Sequence, residues 1–315
     1  IQRSRGLGDV YKRQVSNNQL YDIQVKEILE GVDWNDFSEY EDPKEIPRLL
    51  SGVVSSDRST RDECWSDLWS TVYPGKEVYD ATPIVTELLL DLLALDGTPA
   101  KNEFLKQLYS WIPFSEYSEG LTNENMGRQF DAKETMEIAG LILDSFDLFA
   151  ALLKHEESAV RIEAAFVLSL LGCYGESAAG ELEDAAEFDS AEMVCVAALS
   201  AIGMLKTSRS LWLLKRLALQ HDSDLIRLSA ALAWILIDVA SADEAINIVL
   251  ERATPPANEF QVLVHMESGF RSTAASYAVW KLRDERAEIA IKLKNSLKQS
   301  PDTEIQDWGA IRSME

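Results

Sequence analysis

Along most of this chain the apolar residues recur every three or four positions, in blocks of ten to fifteen residues separated by short polar turns. Val160, Ala164, Val167, Leu168 and Leu171 fall on one helix face, and Ile226, Ala230, Ala233, Trp234 and Ile237 repeat that spacing. Alternation with period two, the mark of a half-buried strand, is almost absent. The pattern therefore predicts an all-α chain.

A finer signature recurs inside the blocks. Arg161 precedes Ala164 and Ala165, Arg227 precedes Ala230 and Ala231, and Arg271 precedes Ala274 and Ala275. The first two arginines lie 66 residues apart, two repeats of about 33, and the third follows 44 residues later, one repeat plus an insertion. The segment around Glu192 supplies the missing unit, with Glu192 read at the arginine position. A helix pair that cannot bury its apolar face alone stacks on its neighbours, so the repeats predict an α-α superhelix, a right-handed solenoid. Six pairs are expected, at 45–75, 82–112, 142–172, 177–206, 210–239 and 242–283, after a helical start around Leu20 to Gly31. Breaks fall at Pro113–Glu134 and Thr254–Ser268. Small residues such as Ala164 and Ala165 are expected to let the two helices of a pair approach. The arginines are expected to pair with carboxylates such as Glu157 and Asp224 at the helix starts.

The arginine and paired alanines resemble the HEAT-repeat (armadillo-type) superfamily over about residues 142–283. Asp33–Leu93 resembles the start of a widespread, uncharacterised bacterial group of HEAT-like proteins. The matching elements are Asp33-Trp34, a helix initiated at Pro47, and the turn Tyr79-x-Ala81-Thr82. Where that group often has His-Gln-Gly, this chain has Tyr73-Pro74-Gly75, so no role of that histidine carries over. The resemblance implies a fold and no activity.

The chain carries 53 Asp and Glu against 30 Lys and Arg, a formal charge of −23. Its opening does not share this character. Ser4–Gln14 back-translates in frame to a string that resembles a transposase sequencing adapter, and residues 1–14 are read as an artefact outside the fold. They hold Arg3, Arg5, Lys12 and Arg13 against Asp9, so without them the charge is −26 over 301 residues. The expected organisation is then 1–14 artefact, 15–44 helical lead-in, 45–300 repeat array and 301–315 polar tail. Such a charge repels phosphate backbones, which argues against nucleic acid and for a basic protein partner. Cys64, Cys173 and Cys195 show no paired spacing, as for thiols in a reducing cytoplasm. No apolar run is long enough to span a bilayer, and that around Leu228–Ala240 is broken by Asp238.

Candidate chemistry is sparse. His155, His221 and His265 are the only histidines, and none sits at metal-ligand spacing with another His or Cys. His155 and His221 fall at turns within helix pairs and are expected to be exposed there. Cys173 lacks a nearby base and reads as a core or boundary thiol. The acidic runs Ser38–Glu45 and Gly180–Glu192 lack the ligand pattern of a calcium loop and read as solvated faces, the second with Leu182, Ala185 and Ala186 inward. Trp65, Trp69, Trp111, Trp212, Trp234 and Trp280 fall at core-like spacing, with Trp308 in the tail. No catalytic, cofactor or metal residue is assigned. The expectation is a non-enzymatic binding scaffold for a basic protein, neutralisation of a basic toxin being one concrete form. The alternative that the resemblance implies is a HEAT-like bilin lyase or chromophore-binding protein.

Overall fold

The computed structural model describes residues 17–34, 37, 45–72, 78–111, 133–252, 288 and 291. Among the described residues there are thirteen α-helices, three short 3-10 turns and no strand. The chain divides into two compact units, 1–101 and 102–315.

The first unit contains α1 (Asn17–Glu30), α2 (Glu45–Val53), α3 (Arg58–Val72) and α4 (Thr82–Ala94). Helices α2 and α3 form a pair, and α1 packs on α2 and α4. The pair closes tightly: a Cβ at Gly52 would stand 2.1 Å from Cys64 Sγ. Pro47 is the third residue of α2, where its missing N–H is one that a helix start leaves unbonded anyway. The Tyr79-x-Ala81-Thr82 turn acts as a clasp. Thr82 Oγ1 accepts from Tyr79 N–H at 2.9 Å and donates to the Val72 carbonyl at 2.6 Å, so it ties the start of α4 to the end of α3. The exposed-carbonyl problem at the other end of α4 is solved by Thr98, which donates to Leu92 O, and by the buried Lys101, whose Nζ donates to Leu93 O at 2.6 Å.

The second unit holds α5 (Lys101–Trp111, from Asn102 onward), α6 (Lys133–Asp144), α7 (Phe146–Leu152), α8 (Ser158–Ser169), α9 (Gly175–Phe188), α10 (Glu192–Leu205), α11 (Leu211–Gln220), α12 (Asp224–Ile237) and α13 (Asp243–Arg252). Three consecutive pairs, α7/α8, α9/α10 and α11/α12, are packed side by side. Their second helices form one layer, with α10 between α8 and α12. Their first helices are linked by side-chain ion pairs, Lys154–Glu181 and Glu187–Arg216, and α13 packs against α11 and α12.

Sequence explains the layering. Helix α10 buries Val194, Cys195, Val196, Ala197, Ala198, Leu199, Ala201, Ile202 and Gly203, which leaves no polar face over its middle. A helix that is apolar all round must be enclosed, here by α8, α9 and α12. Small residues also permit close approach between second helices of neighbouring pairs. A Cβ at Gly203 would lie 3.0 Å from Ala233 Cα and 2.9 Å from Leu236 Cδ1 on α12.

The expected boundaries 45–75, 177–206 and 210–239 match α2/α3, α9/α10 and α11/α12. The pair expected at 142–172 begins later, at Phe146, because Ser145 interrupts the helix after α6. The helices expected at 82–112 fall in different units, α4 in the first and most of α5 in the second. Arg271 with its alanines, the second break and the tail lie outside the described residues.

Gly203→Val should destabilise the chain by about 1–3 kcal/mol through overpacking against α12. By contrast a Cβ at Gly140 meets nothing within 4 Å, so Gly140→Ala in α6 should stabilise by about 0.5–1 kcal/mol. Chemical denaturation of both variants checks the pair.

Candidate functional site

The polar chemistry of the described residues concentrates at the turns inside helix pairs, and four of these turns share one local design. A side chain two residues before the helix N-cap accepts the N–H of the N-cap residue. Ser55 Oγ accepts from Asp57 N–H at 3.2 Å, His155 Nδ1 from Glu157 at 3.1 Å, Asp189 Oδ1 from Ala191 at 2.8 Å, and His221 Nδ1 from Ser223 at 3.0 Å. The two histidines, placed in turns as expected, are thus half-buried turn formers that use a ring nitrogen as an acceptor.

Six residues after each of these acceptors comes a donor. Arg61 Nη1 donates to the carbonyls of Ser55 (3.0 Å) and Ser56 (3.2 Å). Arg161 Nη1 does the same to His155 (2.7 Å) and Glu156 (2.9 Å). In the third turn the donor is Cys195, whose Sγ reaches the Asp189 carbonyl at 3.4 Å. Cys195, and not Glu192, therefore occupies the arginine position. Glu192 lies three residues earlier, at the first residue of α10, and bonds instead to the Ser223 hydroxyl of the next turn. Arg227 follows His221 by six but donates to Ala218 O at 3.2 Å and pairs with Asp224 at 3.5 Å.

Arg161 also reaches out of its own turn. Its Nε and Nη2 grip the Asp189 carboxylate at 2.7 and 2.9 Å, a bidentate bridge across neighbouring repeats with side chains only 12% and 11% exposed. The expected partner was Glu157; the planar fork instead meets Asp189, which offers both oxygens in line. Burial alone would raise the Asp189 carboxyl, but the Arg161 guanidinium and the Ala191 N–H outweigh it and hold it below the usual range. Further pairs tie the first helices together. Glu176 accepts from Thr207 at 3.1 Å, the buried Glu183 from Ser210 at 2.7 Å, and Glu187 pairs with Arg216 at 2.7 Å. The run Gly180–Glu192 is therefore only partly a solvated face: Leu182 and Ala186 are buried as expected, Ala185 is half-buried, and Glu183 is enclosed.

Trp34, Trp65 and Trp234 are buried, and Trp69 is half-buried. Trp212 departs from the expectation at 57% exposed, since Leu213, Leu214, Leu217 and Ala218 fill the inner side of α11 and Arg216 stacks on its ring at 5.3 Å. Trp34 donates to Leu29 O at 3.4 Å and lines a cavity of about 910 Å³ in the first unit with Tyr21, Val25, Leu29 and Pro47. The side chains of Cys173 and Trp111, together with His265, Trp280 and Trp308, lie outside the described residues. Burial raises the thiols of Cys64 and Cys195 above the ordinary value, so neither is poised as a nucleophile. Among the described residues no three His, Cys, Asp or Glu side chains converge as metal ligands. No described helix is long and apolar enough to cross a membrane.

Helix pairs stacked side by side and locked turn to turn define a helical-repeat domain. The HEAT-repeat family model matches residues 146–235, from the first residue of α7 to near the end of α12, and this part of the chain is a HEAT-repeat domain. No curated protein and no solved structure shows a significant match to the chain.

One half-buried acid gives a pH test. Desolvation lifts the Glu163 carboxyl to about 7, against the partly offsetting charge of Lys106. The folded chain then holds a proton that the unfolded chain releases near 4.5, so stability from this group is full below that pH, falls as pH rises and levels off above about 7. Glu163→Gln should remove that slope. Its advantage over the wild type in thermal unfolding should grow between pH 4.5 and 7 and stay constant beyond.

Proposed function

We propose that the chain is a non-enzymatic protein-binding scaffold whose acidic surface receives a basic protein partner. The observation that carries this reading is a HEAT-repeat domain in a chain of net charge −23, or −26 without residues 1–14. HEAT repeats are typically interaction scaffolds, since stacked pairs expose a long surface with a rigid backing. The distribution of charge supports the sign of the partner. Lys154, Arg161, Arg209 and Arg216 are each engaged by a carboxylate of a neighbouring helix or turn, at 2.7–3.8 Å. Exposed acids such as Glu156, Glu157 and Asp222 form no ion pair among the described residues. The field left over is negative and steers cations inward. Capture of a basic toxin by an immunity-type protein is one concrete form of this role.

Capture on the immobilised chain, with elution in rising salt, tests it. The expected result is one basic protein whose affinity falls about tenfold or more between about 0.05 and about 0.3 M salt. A partner retained equally at both ends of that range contradicts an electrostatic surface.

A further inference from the structure

We infer that the cleft between the first two matched repeats, at their turn edge, seats an arginine side chain of the basic partner. This rests on the scaffold reading above and names the surface that serves it. The cleft has a volume of about 390 Å³ and lies between the α7–α8 turn and the end of α9. Leu153, almost fully buried, contributes to its lining, and Phe188 stands beside it.

Phe188 is the last residue of α9 and is 73% exposed, the largest exposure among the described large apolar side chains. Ala178, Ala179, Leu182 and Ala186 already fill the inner side of α9, so the ring is surplus to the core. Asp184 precedes it by four residues, which places carboxylate and ring on the same helix face one turn apart. Both line the cleft.

The charges of the cleft are divided between internal work and vacancy. Lys154 is held by Glu181 at 2.8 Å, and Arg161 by Asp189 at 2.7 Å. Asp184 makes no hydrogen bond or ion pair among the described residues, nor do the side chains of Glu156 and Glu157, which follow the cleft residue His155. The Lys154 ammonium, committed to Glu181, also acts on Asp184 through space, but no cation bonds to the Asp184 carboxylate, and it stands beside an open aromatic face. A guanidinium satisfies both at once: it stacks flat on the ring and directs its paired N–H groups to the carboxylate one turn back. A lysine ammonium meets the carboxylate but lacks the planar fork. The occupant is therefore an arginine of a basic segment.

The test measures binding of octa-arginine and octa-lysine peptides to the full chain at low salt, with Phe188→Ala, Asp184→Asn and Glu87→Gln compared. Glu87 is an exposed acid in the other unit and controls for net charge. Octa-arginine should bind more tightly than octa-lysine. Phe188→Ala should weaken octa-arginine about threefold and erase the preference over octa-lysine. Asp184→Asn should weaken it more than Glu87→Gln does. Wild-type behaviour in both cleft variants, with octa-arginine still bound, overturns the seat and leaves the scaffold reading standing. Failure of the wild type to bind either cationic peptide overturns the seat and counts against the basic partner as well. Circular dichroism of each variant confirms the fold, which an exposed ring and an exposed acid should leave unchanged.

Discussion

A helix with no polar face sets the terms for the HEAT-repeat domain. Helix α10 is enclosed by α8, α9 and α12, so the chain entering it must turn sharply at the edge of an apolar stack. Backbone groups in such a turn have few water partners and need internal ones. The bond that answers this most completely is the Arg161 grip on Asp189. One guanidinium satisfies two carbonyls of its own turn and the carboxylate of the next, and the same carboxylate caps the Ala191 N–H. Repeat register, turn shape and the entry to α10 are thereby set by a single pair.

The same turn chemistry recurs with different residues. Serine, histidine and aspartate all serve as the acceptor before the N-cap, because each offers a lone pair at short reach from its own backbone. Arginine and cysteine both serve as the donor six residues on. The cysteine variant coincides with the turn that already receives Arg161 from its neighbour, so the longer donor is supplied from outside.

This interchange explains what was legible in the sequence. Helical periodicity, the arginine–alanine signature and the pair boundaries near 177–206 and 210–239 rest on burial, which composition records directly. The arginine position in the α9/α10 pair was misread as Glu192 because matching charged residues overlooked Cys195, a donor of another type. The Arg161–Asp189 bridge was missed because its partners are 28 residues apart and belong to different repeats. Trp212 was misplaced since its neighbours Leu213 and Leu214 satisfy the inner face of α11 equally well. The edge cleft had no sequence signal beyond an aromatic ending an acidic helix. Its character comes from the consumption of Lys154 and Arg161 by internal acids, and that is visible only in three dimensions.

Internal neutralisation links the fold to the proposed role. Bridges between repeats take up cations and carboxylates in equal number, so the acid excess of the chain falls on the carboxylates left outside them. The central claim is that the Arg161–Asp189 pair couples adjacent repeats. A double-mutant cycle of Arg161→Met and Asp189→Asn, followed by urea denaturation, measures that coupling directly. The account predicts a coupling energy above the roughly 1 kcal/mol ceiling of exposed ion pairs. A coupling indistinguishable from zero would contradict it.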